Sequence, residues 1–487
     1  MRQGNRAKTT TGDGTMRRMK LVGLAVLAAL SFGSASAESL TDALVSAYRN
    51  SNLLDQNEAL LRAADEDVAI AVSNLRPIIA FAMQAQYDYY VQPEPGIQNG
   101  VVVNQRVATE EFYGNAVITL DLTLLDFGRN RLAIDAAKET VLATREALVD
   151  LEQNVLYTAV QAYVNVRLRI EIVALRQSNV RLLGQLLQAA NDRFDVGEIT
   201  RTDVALAESR LAQSRAELAT AEGDLMVARE SYKAAIGNYP GTLTSLPRSP
   251  ATANSVDEAR AVAVRTHPAL KEAQHQVTVS EINVARAKAE TRPTLTGNVS
   301  VGYADRSIND PGADKSTDSV GLRFNQIIYA GGQLAAVYRR SLAAQEASKS
   351  ALLQTNVIIE QNVGNAWSNL LVYQAQIEAT DRQITAAQIA FDGTVEEARQ
   401  GARTALDVLD AEQELLNARV DRVVAEAQRY LGVYALLQTM GLLTVDHLQL
   451  GIPSYDPTAY YNAVKNAPVH TLQGEKLDRI MKSIGEN

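Results

Sequence analysis

The sequence predicts a mainly α chain, internally duplicated, in which long antiparallel helices carry four β-strands at one end. Three observations predict it. Arg129–Asp195 and Gln333–Gln400 contain no proline and place apolar residues every seven positions. Each is preceded by two segments in which polar and apolar residues alternate, the period of a strand. Landmarks of the first half also return in the second: Gly197 as Gly401, Asp203 as Asp407 and Ile236-Gly237 as Met440-Gly441, each 204 residues on.

Composition narrows the function. Aromatics make up 5% of the 487 residues, which suits long packed helices better than one large core. The absence of cysteine excludes thiolate metal sites and a lipidated N-terminal cysteine. The four histidines (267, 275, 447 and 470) share no ligand spacing, so neither an enzyme, a structural metal nor a cofactor is expected. Arg17, Arg18 and Lys20 precede the apolar run Leu21–Leu30, and Ser34-Ala-Ser-Ala37 offers a cleavage site. Residues 1–37 therefore read as a signal peptide, with Met16 as an alternative start. Its removal takes six basic residues and one acidic, leaving 41 against 55 and a net charge of −14, which argues against a nucleic-acid partner. No later run approaches the ~20 apolar residues of a spanning helix, so the exported chain enters a membrane, if at all, as strands.

In order, Leu40–Arg49 and Leu53–Arg76 read as helix, broken at Asn50-Ser-Asn52 and ended by Pro77. Ile79, Phe81, Met83, Ala85, Tyr87 and Tyr89 then alternate with more polar neighbours, a strand at about 78–90. A loop rich in Pro, Gly and Asn is expected at 92–104, and a second strand at about 112–126. The latter sets Ile118, Leu120, Leu122 and Leu124 against Val117, Thr119, Asp121 and Thr123. The helix Arg129–Asp195 would be ~100 Å long. Its stripes Ile134-Val141-Leu148 and Leu142-Val149-Leu156 imply partners on two sides. The turn Arg193–Asp203 reads as a hairpin tip: Gly197 supplies a positive φ, and Thr200 with Asp203 caps the next helix.

This plan fills 38–240, the first repeat. A linker follows at 241–255, then a second repeat at 256–450, with strands at about 294–304 and 320–329 and a tip near 400–410. The tail 451–487 falls outside the plan and is expected to be flexible and periplasmic. The helix before each strand pair and the helix after each tip sum to roughly the long helix, so they can stack into one column beside it. The chain then holds four columns and four strands.

Four strands leave two open edges, which a bilayer does not tolerate. Eight strands from two copies would enclose only side chains, whereas twelve from three copies would leave a lumen. The alternative is a soluble sheet capping an exported helical rod, a scaffold or adhesin.

An ordered set of motifs bears on that choice: Arg76-Pro77 before the first strand, Tyr329-Ala-Gly-Gly332 after the fourth, Phe194-x-Val-Gly197-x5-Asp203-Val204, and Gly401-Ala-Arg-Thr-Ala-Leu-Asp-Val-Leu-Asp410. Together with the signal peptide these resemble the TolC family of outer-membrane efflux proteins over about residues 38–450. The resemblance implies a homotrimer with a twelve-stranded β-barrel in the outer membrane and an α-helical tunnel through the periplasm. It implies passive, gated conduction, as the exit duct of a tripartite efflux or type I secretion system. A periplasmic adaptor and an inner-membrane pump of RND, ABC or MFS type would dock at the tips, near Gly197 and Gly401. It also implies that Asp407 and Asp410 line a constriction, where six carboxylates from three copies would trap cations and resist closure. Asp407 can equally serve as a cap. Asp410 lies too deep for one, and its first-repeat counterpart is Leu206. A latch is implied between Arg403, Thr202, Asp203 and a tyrosine whose place here is taken by Ala398. The latch then rests on an Arg403–Asp203 pair, worth ~0–1 kcal/mol if exposed.

Overall fold

A computed structural model of the chain describes residues 37–305 and 315–468. The expected signal peptide, all but Ala37, and the end of the tail lie outside those residues. The first half runs α1 (Leu40–Arg49), α2 (Asn52–Ser73), β1 (Ile78–Gln98), β2 (Val101–Leu125), α3 (Arg129–Asp195) and α4 (Arg201–Ile236). The second runs α5 (Val256–Thr266), α6 (Pro268–Ala289), β3 (Thr294–Asp305), β4 (Lys315–Asn325), α7 (Gln333–Arg399) and α8 (Ala405–Thr439). A short helix, α9 (Pro457–Val464), follows.

Left-handed glycines delimit both long helices at matching places. Gly128 and Gly332 open α3 and α7, each at φ 89°, and Gly197 and Gly401 follow their ends at 83° and 77°. The short helices meet end to end as the length arithmetic requires. Asn50 Nδ2 donates to the Ile236 carbonyl at 3.0 Å, which joins α4 to the break between α1 and α2. At the equivalent joint Thr266 Oγ1 donates to the Met440 carbonyl at 2.6 Å. Neither joint has room for a side chain after the terminating helix. A Cβ on Gly237 would stand 2.7 Å from Asn50, and one on Gly441 2.6 Å from the His267 backbone. The result is four columns. α3 packs on α2 and α4 on one side and on α6 and α8 on the other, while α7 packs on α5, α6 and α8.

The largest apolar cluster lies at the waist, where these joints meet. Leu156, Val160 and Tyr163 of α3 pack with Leu44, Tyr232 and Leu437. The Tyr163 hydroxyl lies 3.0 Å from the carbonyls of both Glu38 and Thr244, which ties in the chain start and the linker. Trp367, at the matching place in α7, is half-buried against a second cluster containing Leu270, Ile359 and Leu436. Among the described residues no helix is long and apolar enough to cross a membrane.

The strands form one antiparallel sheet in sequence order, with β1 and β4 at its edges. Its register segregates the faces. Phe81 pairs with Ile118, Leu120 with Val299, Val299 with Val320 and Leu295 with Phe324, so in the rows nearest the helices one face is apolar across all four strands, while farther out Asp318 stands opposite Val301. Those side chains stand open, Phe81 at 68% and Val320 at 83% exposure. The other face carries Gln84, Asn115, Thr119, Asn298 and Ser300, with Ser300 and Ser319 bonded at 2.7 Å. Alternation also divides the aromatics near the strand ends. Tyr87 and Phe112 pair on the apolar face, while the Tyr113 hydroxyl turns to Gln86 on the polar one.

Three expectations need correction. The loop expected at 92–104 is strand: β1 and β2 pair without a break from Ile78↔Asp121 to Gln98↔Val101 around a two-residue turn. Asn99 (φ 55°) and Gly100 (φ 76°) supply that turn, and Pro93 and Pro95 are tolerated because β1 is an edge strand. β4 lies earlier than 320–329, because its partner β3 begins at Thr294, opposite Asn325, and nothing pairs with Gln326–Tyr329. The tail is packed as far as Ala467. Tyr455 and Tyr461 fill the groove between α2 and α3 beside Leu61, Val68 and Val141. Arg145 donates to the Pro457 carbonyl at 3.1 Å with its guanidinium 5.1 Å from the Tyr461 ring, and Arg76 donates to the carbonyls of Asn466 and Ala467.

Candidate functional site

The two hairpin tips, α3–α4 and α7–α8, stand side by side around a cleft of about 440 Å³. Arg193, Ile199 and Asp203 line it from the first tip, and Ala398, Arg403 and Val408 from the second. Each descending helix starts with the same reciprocal cap. Thr200 donates its N–H and hydroxyl to Asp203 Oδ2 at 3.0 and 2.8 Å, and Thr404 does the same to Asp407 Oδ2 at 2.9 and 2.8 Å. These bonds favour the ionised carboxylates. The Thr200 hydroxyl and N–H hold Asp203 below the usual range, and the Thr404 N–H and hydroxyl do so for Asp407. Gly197 and Gly401 lie at the crests, where an added Cβ would meet open space. Their positive φ is what the turns require. Thr202 is exposed on the first turn of α4 and does not line the cleft.

The expected Arg403–Asp203 pair is not made within the chain. Arg403 Nε bonds Glu397 Oε2 at 2.9 Å, across its own tip. Glu397 sits on the last turn of α7, within local reach, whereas Asp203 is already engaged by its cap. The first tip carries the same staple with the charges exchanged: Arg193 Nε bonds Glu198 Oε2 at 3.0 Å, and Arg193 is the counterpart of Glu397. Both pairs are exposed.

The aspartates expected to act together have different partners. Asp407 is the cap, while Asp410 Oδ1 accepts from Arg210 Nη2 of α4 at 2.6 Å, a bridge from the second hairpin to the first. No motif of the sequence marks Arg210. The same holds for the layer beside it, where the Ser214 hydroxyl donates to Asn179 Oδ1 and Asn179 Nδ2 donates to Glu412 Oε1. All three side chains are buried. Burial pushes the Glu412 carboxyl up, against a smaller downward pull from the Asn179 amide. A sequence signal for this layer exists. Ser214 falls between Leu211 and Leu218, and Glu412 between Leu409 and Leu416, each a polar residue at a seam position.

Comparisons with known proteins bear on the family and the fold. The family model described as "Outer membrane efflux protein" matches residues 43–238 and 261–442. The outer membrane efflux protein BepC of Brucella suis biovar 1 (strain 1330) is 35% identical over 453 residues, which is 92% of this chain and 95% of the relative. The proteases secretion protein PrtF of Dickeya chrysanthemi is 27% identical over 418 residues, 82% of this chain and 88% of the relative. A crystal structure of CusC, a transmembrane channel, superposes with a TM-score of 0.71 at 18% identity, covering 83% of this chain and 92% of that one. That last likeness is one of fold.

Proposed function

The chain belongs to the outer membrane efflux protein family, and we propose that three copies of it close into one duct, shut at the hairpin tips. It is an outer membrane channel with a helical periplasmic extension, the exit duct of an efflux or type I secretion system. The observation that carries the trimer is the sheet: four strands, apolar on one face in the rows nearest the helices, with both edges open. In a bilayer those edges must pair. Three copies give twelve strands, with the apolar face toward lipid and the Gln, Asn, Ser and Thr face lining the lumen. An exported rod serving as scaffold or adhesin has no use for such a face.

Conduction is passive and involves no catalysis. An inner-membrane pump of the RND, ABC or MFS class supplies the energy through a periplasmic adaptor, whose contact falls on the crests at Gly197 and Gly401. Asp407 and Asp410 of three copies ring the entrance with carboxylates, and Arg210 offsets the second of each pair. The latch of Arg403, Thr202 and Asp203 belongs between copies, since Arg403 turns to Glu397 within one.

The test is the assembly itself. Purified in detergent, the mature chain should run as a trimer by light scattering and shift to monomer mass on a gel only after boiling. A monomer with its four strands paired only among themselves would refute the duct.

A further inference from the structure

We infer that the Ser214–Asn179–Glu412 relay and the Arg210–Asp410 bridge form a closure lock inside each chain, above the tips, which keeps the two hairpins together until it breaks. The inference rests on the duct reading and deepens it, since it adds Asn179, Arg210, Ser214 and Glu412, which no motif contains, and gives Asp410 of the tip motif a partner.

The relay joins three helices: Ser214 on α4, Asn179 on α3 and Glu412 on α8. Its direction is fixed by chemistry. An ionised Glu412 only accepts, so the Asn179 amide must turn its Nδ2 to it and its Oδ1 to the Ser214 hydroxyl. Of the two relay bonds only Asn179–Glu412 crosses from one hairpin to the other. Because both side chains are buried, the first slip that breaks it leaves an amide and a carboxylate unpaired before water can reach them, which costs more than the bond itself is worth. The Arg210–Asp410 bridge lies two residues from Glu412 along α8 and ties that helix to α4 again. Arg176, bonded to Glu217 at 2.5 Å, adds a cation near Glu412 from α3.

The duplication provides an internal control. Shifted by 204 residues, the seam that α7 would make with α4 of the next copy offers Gln383 for Asn179 and Ala418 for Ser214. It offers Glu208 for Glu412, Glu414 for Arg210 and Leu206 for Asp410. Ala418 cannot donate, and Glu414 opposite Leu206 makes no ion pair. Gln383 instead donates to Glu414 within its own hairpin at 3.0 Å. The lock therefore occurs once per chain, at the seam between its own two hairpins, and the seam between copies is the less restrained of the two.

Unitary currents of the full-length assembly in planar bilayers test this. Glu412→Leu combined with Arg210→Ala should raise open probability by roughly fivefold or more, the lower end of an ordinary coupling energy. Glu412→Gln, which keeps an acceptor for Asn179, should restore most of the closed state. Glu208→Gln with Glu414→Gln, at the exposed repeat-equivalent positions, should leave it as in the wild type. Should the double variant fail to assemble, Asn179→Leu breaks the relay alone and should give a smaller rise. Lock variants that migrate as intact trimers and gate like the wild type would overturn the lock. A wild-type protein that gives no unitary current, or runs as a monomer, would overturn the duct reading instead.

Discussion

α3 and α7 each span 67 residues between left-handed glycines, yet seventeen side chains of α3 are buried within the chain and five of α7. Equal length and equal ends therefore say nothing of equal surroundings. α3 is an inner column with neighbours on both sides, and α7 is the last column of the layer. On α7, Leu353, Leu371 and Ile389 recur at intervals of 18 residues, five helical turns, so they share one face, and all are exposed. Their counterparts on α3 are Val149, Arg167 and Gln185. The apolar face thus belongs to the helix that lacks a neighbour, the pattern of a surface that is covered on assembly.

That contrast can be broken directly. Leu371→Asp with Ile389→Asp should abolish the trimer, giving monomer by light scattering while helix content by circular dichroism stays unchanged. A trimer that survives both charges would place the interface elsewhere.

A second pair of equivalent positions sharpens the comparison. Asp65 on α2 and Arg145 on α3 correspond to Glu281 on α6 and Lys349 on α7. In the second half the ion pair is made, Lys349 Nζ to Glu281 Oε1 at 3.1 Å, and that contact holds Glu281 below the usual range. In the first half the tail intervenes: it takes Arg145 for Pro457 and Tyr461 and leaves Asp65 fully buried, with neither oxygen bonded. Burial pushes Asp65 from 3.8 up to about 6, with Arg145 opposing and Glu66 reinforcing the shift. The folded state thus binds this proton more tightly than the unfolded one, so stability falls as pH rises from about 4 to about 6 and stays lower above. Asp65→Asn should relieve on the order of 3 kcal/mol at pH 7 and flatten the melting temperature over that window. Glu281→Gln should act in the opposite sense and weakly, removing a stabilisation that is present above the usual carboxylate range and lost as pH falls through the depressed value. Equal and parallel pH profiles for the two variants would dissolve the distinction.

The smallest effect concerns the aspartates of the second tip. Asp407→Ala should weaken divalent-cation block of the channel by roughly fivefold, and Asp410→Ala by less than about twofold, since Arg210 already balances it. Equal losses in single-channel recordings would mean that Arg210 releases Asp410 in the assembled duct.

Periodicity made the helices legible almost to the residue, because seven-residue spacing over nine or ten heptads leaves one solution. The outer part of the β1–β2 hairpin was not, since Pro93, Pro95 and Gly96 break an inner strand but not an edge one. The informative pair there was Asn99-Gly100. The docked tail left no trace, because two tyrosines six residues apart make no period. At the tips the caps were readable from Thr200 and Thr404, whereas the ion pairs were not. Which acid Arg403 selects depends on reach, and Glu397 lies closer at hand than Asp203. The relay sat in view as two polar residues at seam positions, but Asn179 joins them only once α8 is known to lie on α3.

The matched glycine-to-glycine spans act as a ruler. Deleting seven residues from α3 alone would lift its crest by ~10 Å relative to the other and tilt the rim formed by the two tips. It would also strip about two turns of α4 of their neighbour. A duct of this design can therefore change its reach only by the same whole number of heptads in α3, α4, α7 and α8 together, and any single insertion between the waist and the crests should be far less tolerated than its surface position suggests.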